Sequence, residues 1–333
     1  METVEGLIFD VKGLVHPPDR VIAFVRYYLN ERGNRLRSDG RRYSKLYDLK
    51  ERYDFLRSNY PAYVYFDYVF GMELQAVPHD RINIVYEPRQ QLRKLLSKRA
   101  GSQEIGKLKE YAIDLAKIIS KEANIPISSI GISGSILVGL ETEDSDLDLV
   151  IYGEKECRKA YEALHQLLES EKDLRRYTLT ELKDLYEFKK QAMNVSFEDF
   201  LLMESRKVSQ GVFKGVDFFV RFVKEPSEIN ETYGDRIYRK VGRITVKAKV
   251  IDASDSIFTP CRYLVKVLSV LDGAGLDAIK EVVSFRGRFT ELANDNDIII
   301  VRGDVERVTD VKNKTSYYRI ILGNSRDDFL IRR

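Results

Sequence analysis

The chain has 333 residues, of which 32% are charged and 44% hydrophobic, and its formal net charge is +3. This length is too great for one compact core and predicts two or three domains. The small net charge excludes a uniformly basic surface that binds nucleic acid, and the two distant cysteines predict neither a disulfide framework nor a zinc site. No stretch approaches the ~20 apolar residues that span a bilayer, so we expect a cytoplasmic protein. Abundant Lys, Arg and Glu without Trp are typical of a thermophile.

Residues 1–100 are predicted to form an N-terminal α/β accessory domain rich in Tyr and Arg. Residues 7–11 and 21–28 are interpreted as strands around a turn with Gly and Pro, and residues 43–59 have helical spacing. Basic and aromatic side chains follow one another between residues 32 and 47, a stretch called the basic segment below: Arg32, Arg35, Arg37, Arg41, Arg42, Tyr43, Lys45 and Tyr47. Such a segment can bind a nucleic-acid backbone and stack bases, but the sequence favours an ordinary solvated connector.

A central domain is predicted over residues 101–240. Ser102 is placed to cap a helix, and apolar residues at three- and four-residue spacing extend this helix from about 104 to 123. A turn then leads into a short strand that ends at Gly134.

The central feature of the chain is Gly134-Ser135, followed after ten residues by Asp146-Leu-Asp148-Leu. The Gly134-Ser135 turn presents backbone N–H groups and a hydroxyl at a helix N-terminus, an arrangement that can bind phosphate. On the following strand, the period of two places Asp146 and Asp148 on the same side. Two carboxylates so close together repel one another unless a divalent cation lies between them. A pair of hard oxygen ligands suits Mg²⁺ or Mn²⁺.

Two other interpretations of these aspartates fit the sequence less well. Asp144, Asp146 and Asp148 could begin a calcium loop of the EF-hand kind. That loop needs Gly at its sixth position and Glu at its twelfth, where this chain has Leu149 and Lys155. The aspartates could also belong to a plain surface loop. Asp148 argues against this, because a carboxylate inside an apolar strand is costly to bury without a partner.

Beyond this strand, helices are predicted at about 154–172, 179–191 and 197–205, followed by a hairpin over 209–223. Lys214-Gly215 forms its two-residue turn. Alternation on the second strand of the hairpin places Asp217, Phe219 and Arg221 on one face. Lys214 and Arg221 are near enough in sequence to neutralise phosphate charge, although solvated positions fit the pattern equally well.

This pattern resembles the signature of the polymerase-β-type nucleotidyltransferase superfamily over about residues 104–224. The resemblance implies a small mixed sheet with helices packed against it. It implies that the Gly134-Ser135 turn holds the phosphates of a nucleoside triphosphate. It further implies that Asp146 and Asp148 ligate two Mg²⁺ ions, and that Asp217 supplies a third carboxylate that helps deprotonate the attacking hydroxyl.

From residue 241 to residue 333 the sequence predicts a C-terminal all-β, barrel-like domain. Short apolar runs separated by Gly, Asp and Asn predict strands near 244–251, 263–270, 279–289, 297–308, 316–322 and 329–332. The predicted fold class is therefore α+β, with the nucleotidyltransferase core between the N-terminal α/β domain and this C-terminal domain.

We therefore expect a metal-dependent enzyme that transfers a nucleoside monophosphate from a nucleoside triphosphate to an acceptor hydroxyl. The basic segment and the predicted barrel favour RNA as the acceptor. A protein or small-molecule acceptor, a nucleotide-sensing regulator and a nucleic-acid-binding protein with an inactive core stay open. The base preference and the oligomeric state are open as well.

Overall fold

The computed structural model describes residues 1–170, 173–273 and 278–333, in which the chain forms α-helices and three β-sheets. The chain divides into two compact units. The first contains Met1–Val64, Gln75–Arg176 and Val208–Ile229, and the second contains Tyr65–Leu74, Tyr177–Lys207 and Asn230–Arg333. Most of residues 1–100 therefore belong to the same unit as the Gly134-Ser135 motif. The domain boundaries proposed from the sequence at residues 100 and 240 stay predictions.

The N-terminal part folds around one sheet. Its elements are β1 (Glu2–Thr3), β2 (Ile8–Val11), β3 (Arg20–Leu29), β4 (Arg35–Leu36), β5 (Arg42–Lys45), α1 (Leu49–Asn59), β6 (Val64–Asp67), β7 (Met72–Pro78), β8 (Ile82–Ile84) and α2 (Pro88–Ala100). The strands lie in the order β4-β5-β3-β2-β1-β8, and β7 pairs with both β3 and β6.

The segment predicted as one helix over residues 43–59 is divided in the structure. Residues 42–45 form β5, and α1 begins only at Leu49. Its start is set by Asp48, whose side chain accepts hydrogen bonds from the backbone N–H groups of Lys50 and Glu51. α2 was not predicted, because its sequence is mostly polar and buries Leu92 and Leu95 on a narrow stripe.

The central part of the first unit is a mixed sheet covered by helices. Its elements are α3 (Lys107–Glu122), β9 (Ile130–Ile132), α4 (Gly134–Val138), β10 (Leu147–Tyr152), α5 (Glu154–Ser170), β11 (Leu174–Arg175), β12 (Gln210–Phe213) and β13 (Val216–Val223). The strand order is β11-β12-β13-β10-β9, with β10 and β13 parallel and the other pairs antiparallel. α3 begins after Gly106, so the predicted cap at Ser102 is wrong. The last two residues of the helix predicted over 154–172 lie outside the described residues.

One face of this sheet is apolar and covered by helices. Leu147 and Leu149 on β10 are 0% and 1% exposed, and Phe218 and Phe222 on β13 are each 1% exposed. Tyr161 of α5 packs edge-on against Phe222, with ring centroids 5.9 Å apart. Because side chains alternate along a strand, the residues between these positions point away from the helices. The aspartates of the motif therefore belong to the opposite face.

The second unit combines two helices with the C-terminal sheet. Its elements are α6 (Leu179–Lys189), α7 (Phe197–Glu204), β14 (Arg236–Asp252), β15 (Cys261–Asp272), β16 (Ile279–Ser284), β17 (Ile298–Asp310), β18 (Thr315–Leu322) and β19 (Phe329–Arg332). Each strand predicted for this region is present, but the strand predicted over 279–289 ends at Ser284, and residues 287–289 form a short 3-10 helix. β14 pairs with both β15 and β17, so the pairings close the circuit β14-β15-β16-β18-β17, and β19 is added beside β17. The sheet is not a regular barrel, but the predicted α+β class is confirmed.

Candidate active site

The Gly134-Ser135 turn lies directly against Asp148. The backbone N–H of Ser133 donates to the backbone carbonyl of Asp148 at 2.8 Å. Gly134 has a φ of +59°, and a Cβ at this position would lie 1.9 Å from Asp148 Oδ2. Glycine is therefore required both by the left-handed backbone and by the close approach of the carboxylate. The turn and the aspartate strand form one site.

Ser135 places a buried hydroxyl in this site. Its side chain is buried, and its Oγ has no hydrogen-bond partner in the part of the chain that the structure describes. A buried polar atom without a partner is costly and is unusual in a native fold. The Oγ of Ser135 can therefore gain a hydrogen bond from a ligand bound at the turn.

Asp146 and Asp148 form a carboxylate pair at the start of β10. Asp148 is half-buried on the strand, and Asp146 is exposed immediately before it. Burial, and after it the negative charge of Asp146, raises the pKa of Asp148 to about 7. Nearby cations oppose this rise: Arg221, Lys45 and Arg26. A close pair of hard oxygen donors fits a divalent cation such as Mg²⁺ or Mn²⁺.

Asp217 does not lie directly opposite Asp148 on the neighbouring strand. In the parallel register of β10 and β13, the residue opposite Asp148 is Phe219. Asp217 is exposed and shares the face of Phe219, but it lies two residues closer to the hairpin turn, which puts its Cα roughly 8 Å from that of Asp148. Within the described ranges, no three His, Cys, Asp or Glu side chains come close enough together to hold a metal ion. The role of Asp217 as a third metal ligand stays a prediction.

The two cations predicted to neutralise phosphate have different surroundings. Lys214, at the hairpin turn, donates from Nζ to the carboxylate of Asp114 on α3 at 2.8 Å. Arg221 lies on the same face of the sheet as Asp148, and its Nη1 is 3.7 Å from Asp10 Oδ1. Arg221 is also among the cations that oppose the raised pKa of Asp148. The contacts thus associate Arg221, but not Lys214, with the carboxylate pair.

Comparison with known proteins identifies the family of this chain. The profile of the family described as nucleotidyltransferase domain matches residues 101–205, which include the Gly134-Ser135 turn and both aspartates of the pair. An uncharacterized protein of Methanocaldococcus jannaschii is 31% identical over 336 residues, which cover 99% of this chain and 95% of that protein. The chain belongs to the polymerase-β-type nucleotidyltransferase superfamily. No solved structure matches it significantly.

Membership in the nucleotidyltransferase superfamily sets the general chemistry of the site. A nucleotidyltransferase domain implies a nucleotide substrate, and its family typically uses divalent metal ions. The matched residues 101–205 stop before Asp217 and Arg221 and begin after the N-terminal sheet. Among the described residues, no helix has both the length and the apolar character that crossing a membrane requires.

The N-terminal sheet brings a carboxylate close to Arg221 that sequence reasoning missed. Asp10, on β2, forms an ion pair with Lys12 and approaches Arg221. Burial alone would raise the pKa of Asp10, but the charges of Lys12 and Arg221 hold this pKa well below its usual value. The sequence signal for Asp10 is a single carboxylate within an otherwise apolar strand. This signal alone does not indicate that Arg221 is its partner.

Part of the basic segment is buried, whereas both of its interpretations require exposed side chains. Arg35, Arg37 and Tyr43 are 9%, 8% and 0% exposed. Arg37 forms an ion pair with Glu2 at 2.7 Å and another with Asp39 at 2.8 Å. The prediction that these side chains are exposed, on a nucleic-acid surface or in a solvated connector, is therefore wrong for Arg35, Arg37 and Tyr43. Arg37 instead connects this segment to β1 through its ion pair with Glu2.

Proposed function

We propose that this protein transfers a nucleoside monophosphate from a nucleoside triphosphate to an acceptor hydroxyl, with Mg²⁺ or Mn²⁺ held at Asp146 and Asp148. The proposal rests on the contact between Gly134 and Asp148. Through this contact, a turn suited to phosphate meets a carboxylate pair suited to a divalent cation. The buried Oγ of Ser135, which has no hydrogen-bond partner among the described residues, provides a hydrogen bond for the same phosphate.

Each residue has a separate task in the proposed reaction. The Oγ of Ser135 and the backbone of the turn bind phosphate, and Arg221 adds a fixed positive charge near the carboxylates. When bound at Asp146 and Asp148, the cation would neutralise phosphate charge and stabilise the pyrophosphate that leaves. The acceptor oxygen bonds to the α-phosphorus while the bond from that phosphorus to pyrophosphate breaks. We propose Asp217, on the same face as the pair, as the carboxylate that receives the hydroxyl proton.

RNA is the acceptor class that we propose. The members of the basic segment that stay exposed are Arg32, Arg41, Arg42 and Tyr47. Exposed cations and an exposed aromatic residue within one short segment suit single-stranded nucleic acid. RNA affinity should fall with salt, with a log–log slope of about −0.7 per phosphate contact. An Arg32→Gln, Arg42→Gln double variant should flatten this slope. A flat slope for the unaltered protein would favour a protein or small-molecule acceptor.

The activity is tested by incubating the full chain with each α-labelled nucleoside triphosphate, Mg²⁺ or Mn²⁺, and separate RNA, protein and small-molecule fractions of a cell extract. We expect label in RNA. Label in another fraction would support nucleotidyl transfer but would show that the acceptor is a protein or a small molecule rather than RNA. Binding of a triphosphate without label in any fraction would reject transfer and favour a nucleotide-sensing regulator.

A further inference from the structure

The N-terminal sheet is attached to the segment that carries the carboxylate pair. Ile8, Tyr27 and Tyr43 from the sheet form one apolar cluster with Val138 and Leu140, which follow the Gly134-Ser135 turn. Apolar side chains that share one cluster hold their backbones at fixed distances. Residues of the N-terminal sheet therefore have a defined position relative to the nucleotidyltransferase motif.

Arg35 on β4 strengthens this attachment by hydrogen bonds. Its Nη1 donates to the backbone carbonyl of Leu140 at 2.7 Å and to Ser145 Oγ at 3.3 Å. Ser145 Oγ in turn accepts from the backbone N–H of Thr142 at 2.9 Å. Because Ser145 directly precedes Asp146, the N-terminal sheet helps to position the exposed member of the carboxylate pair.

Two other cations of the sheet, Arg26 on β3 and Lys45 on β5, lie near the carboxylates. Both oppose the raised pKa of Asp148. Lys45 pairs across the strands with Tyr27 of the apolar cluster. Lys45 Nζ lies 4.9 Å and Arg26 Cζ lies 5.8 Å from the centroid of the same ring, that of Tyr47. The Tyr47 ring thus makes cation–π contacts with both of these cations.

The carboxylates that attract these two half-buried cations belong to the site itself: Asp146 and Asp148 attract Lys45, and Asp10 attracts Arg26. In the stretches that the structure describes, neither Arg26 nor Lys45 forms an ion pair. Burial, and after it repulsion from Arg26 and Arg35, lowers the pKa of Lys45 to about 8. A cation that is partly desolvated and repelled by its neighbours is stabilised when an anion binds.

We propose that Arg26 and Lys45 bind the phosphate groups of the nucleoside triphosphate, so that the N-terminal sheet completes the site from outside the nucleotidyltransferase domain. This inference rests on the proposed function. A triphosphate remains anionic after it has bound a divalent cation, and fixed cations compensate the charge that is left. Arg26 can bond two phosphate oxygens at once, whereas Lys45 acts as a point charge.

The test removes each charge at nearly constant side-chain volume, in the full chain. Lys45→Met and Arg26→Met should each weaken the affinity for Mg²⁺-tripolyphosphate roughly tenfold or more, measured by calorimetry. The matched controls are Lys107→Met and Arg57→Met, whose cations also lie over tyrosine rings, 5.4 and 5.3 Å from the centroids. The controls should bind as the unaltered protein does, and Lys45→Arg should restore binding.

Two results separate this inference from the proposed function. If both methionine variants bind as tightly as their controls while Asp148→Asn still loses affinity for the Mg²⁺-triphosphates, the inference is overturned and the proposed function stands. If the unaltered protein binds neither tripolyphosphate nor any nucleoside triphosphate, both are overturned.

A second measurement uses the unaltered protein and does not depend on how a variant folds. Mg²⁺-tripolyphosphate should protect Lys45, but not Lys107, from acetylation by acetic anhydride, as measured by mass spectrometry. Equal acetylation of Lys45 with and without tripolyphosphate would overturn the inference.

Discussion

Replacing Gly134 by alanine perturbs the junction between the phosphate-binding turn and the carboxylate pair. The new Cβ would lie 1.9 Å from Oδ2, 2.7 Å from Cγ and 2.8 Å from Cβ of Asp148. Normal carbon–oxygen contact requires a shift of at least about 1 Å by the carboxylate or by the turn, and a misplacement of this size can lower a transfer rate roughly 100-fold. The φ of +59° adds backbone strain of about 1–2 kcal/mol.

Gly139→Ala separates these two effects. Gly139 also has a left-handed backbone, with a φ of +70°, but the nearest atom to an added Cβ is Arg37 Cγ at 3.7 Å, an ordinary contact. Both alanine variants should lower the thermal unfolding temperature through similar strain. In a transfer assay with a labelled triphosphate, Gly134→Ala should lose activity and Gly139→Ala should keep it. Equal rates for the two variants would refute the reasoning that the turn and Asp148 work as one site.

Three further results are expected. Arg35→Met should lower the thermal unfolding temperature, because each hydrogen bond from a buried cation contributes about 1.5–3 kcal/mol, and should weaken Mn²⁺ binding near Asp146, with partial rescue by Arg35→Lys. Because the pKa of Lys45 is lowered to about 8, its acetylation rate should level off above that pH, and triphosphate affinity should fall there as the amine loses its charge. Burial raises the pKa of the Cys157 and Cys261 thiols to about 12, so iodoacetamide should alkylate them only after unfolding.

Each of these three expectations has a contradicting outcome. Unchanged Mn²⁺ affinity in Arg35→Met would contradict the claim that the N-terminal sheet helps to position the carboxylate pair. An acetylation rate of Lys45 that rises toward about pH 10, as for an ordinary lysine, would contradict its lowered pKa. Rapid alkylation of either cysteine in the native protein would contradict its burial.

The core of the site could be predicted because its signals are local. Gly134, Ser135, Asp146 and Asp148 lie within one short stretch, where the period of a strand and the chemistry of a glycine turn can be read directly. The C-terminal strands were predictable for the same reason, since turn residues separate their apolar runs. A start signal for α1 was also present, because Asp48 is followed three residues later by Glu51.

The contribution of the N-terminal sheet could not be predicted in this way. Arg35 meets the Leu140 carbonyl across 105 residues of sequence, and Arg37 meets Glu2 across 35. Local spacing cannot distinguish an arginine that is buried by such a contact from one on a solvated surface. The position of Asp217 relative to Asp148 likewise depends on the register of two strands that are distant in the sequence.

The central claim is tested most directly by comparing nucleotidyl transfer by Asp148→Asn and Asp144→Asn, with labelled triphosphate and the acceptor fraction that the unaltered protein labels. Both substitutions remove one carboxylate charge and keep the side-chain shape, but Asp144 is exposed in the loop before β10. Changing a residue that merely supports a metal ligand costs 10–100-fold, so loss of the ligand itself should lower transfer roughly 100-fold or more. Asp144→Asn should transfer at the unaltered rate. Equal transfer by the two variants would contradict the assignment of Asp148 to the active site.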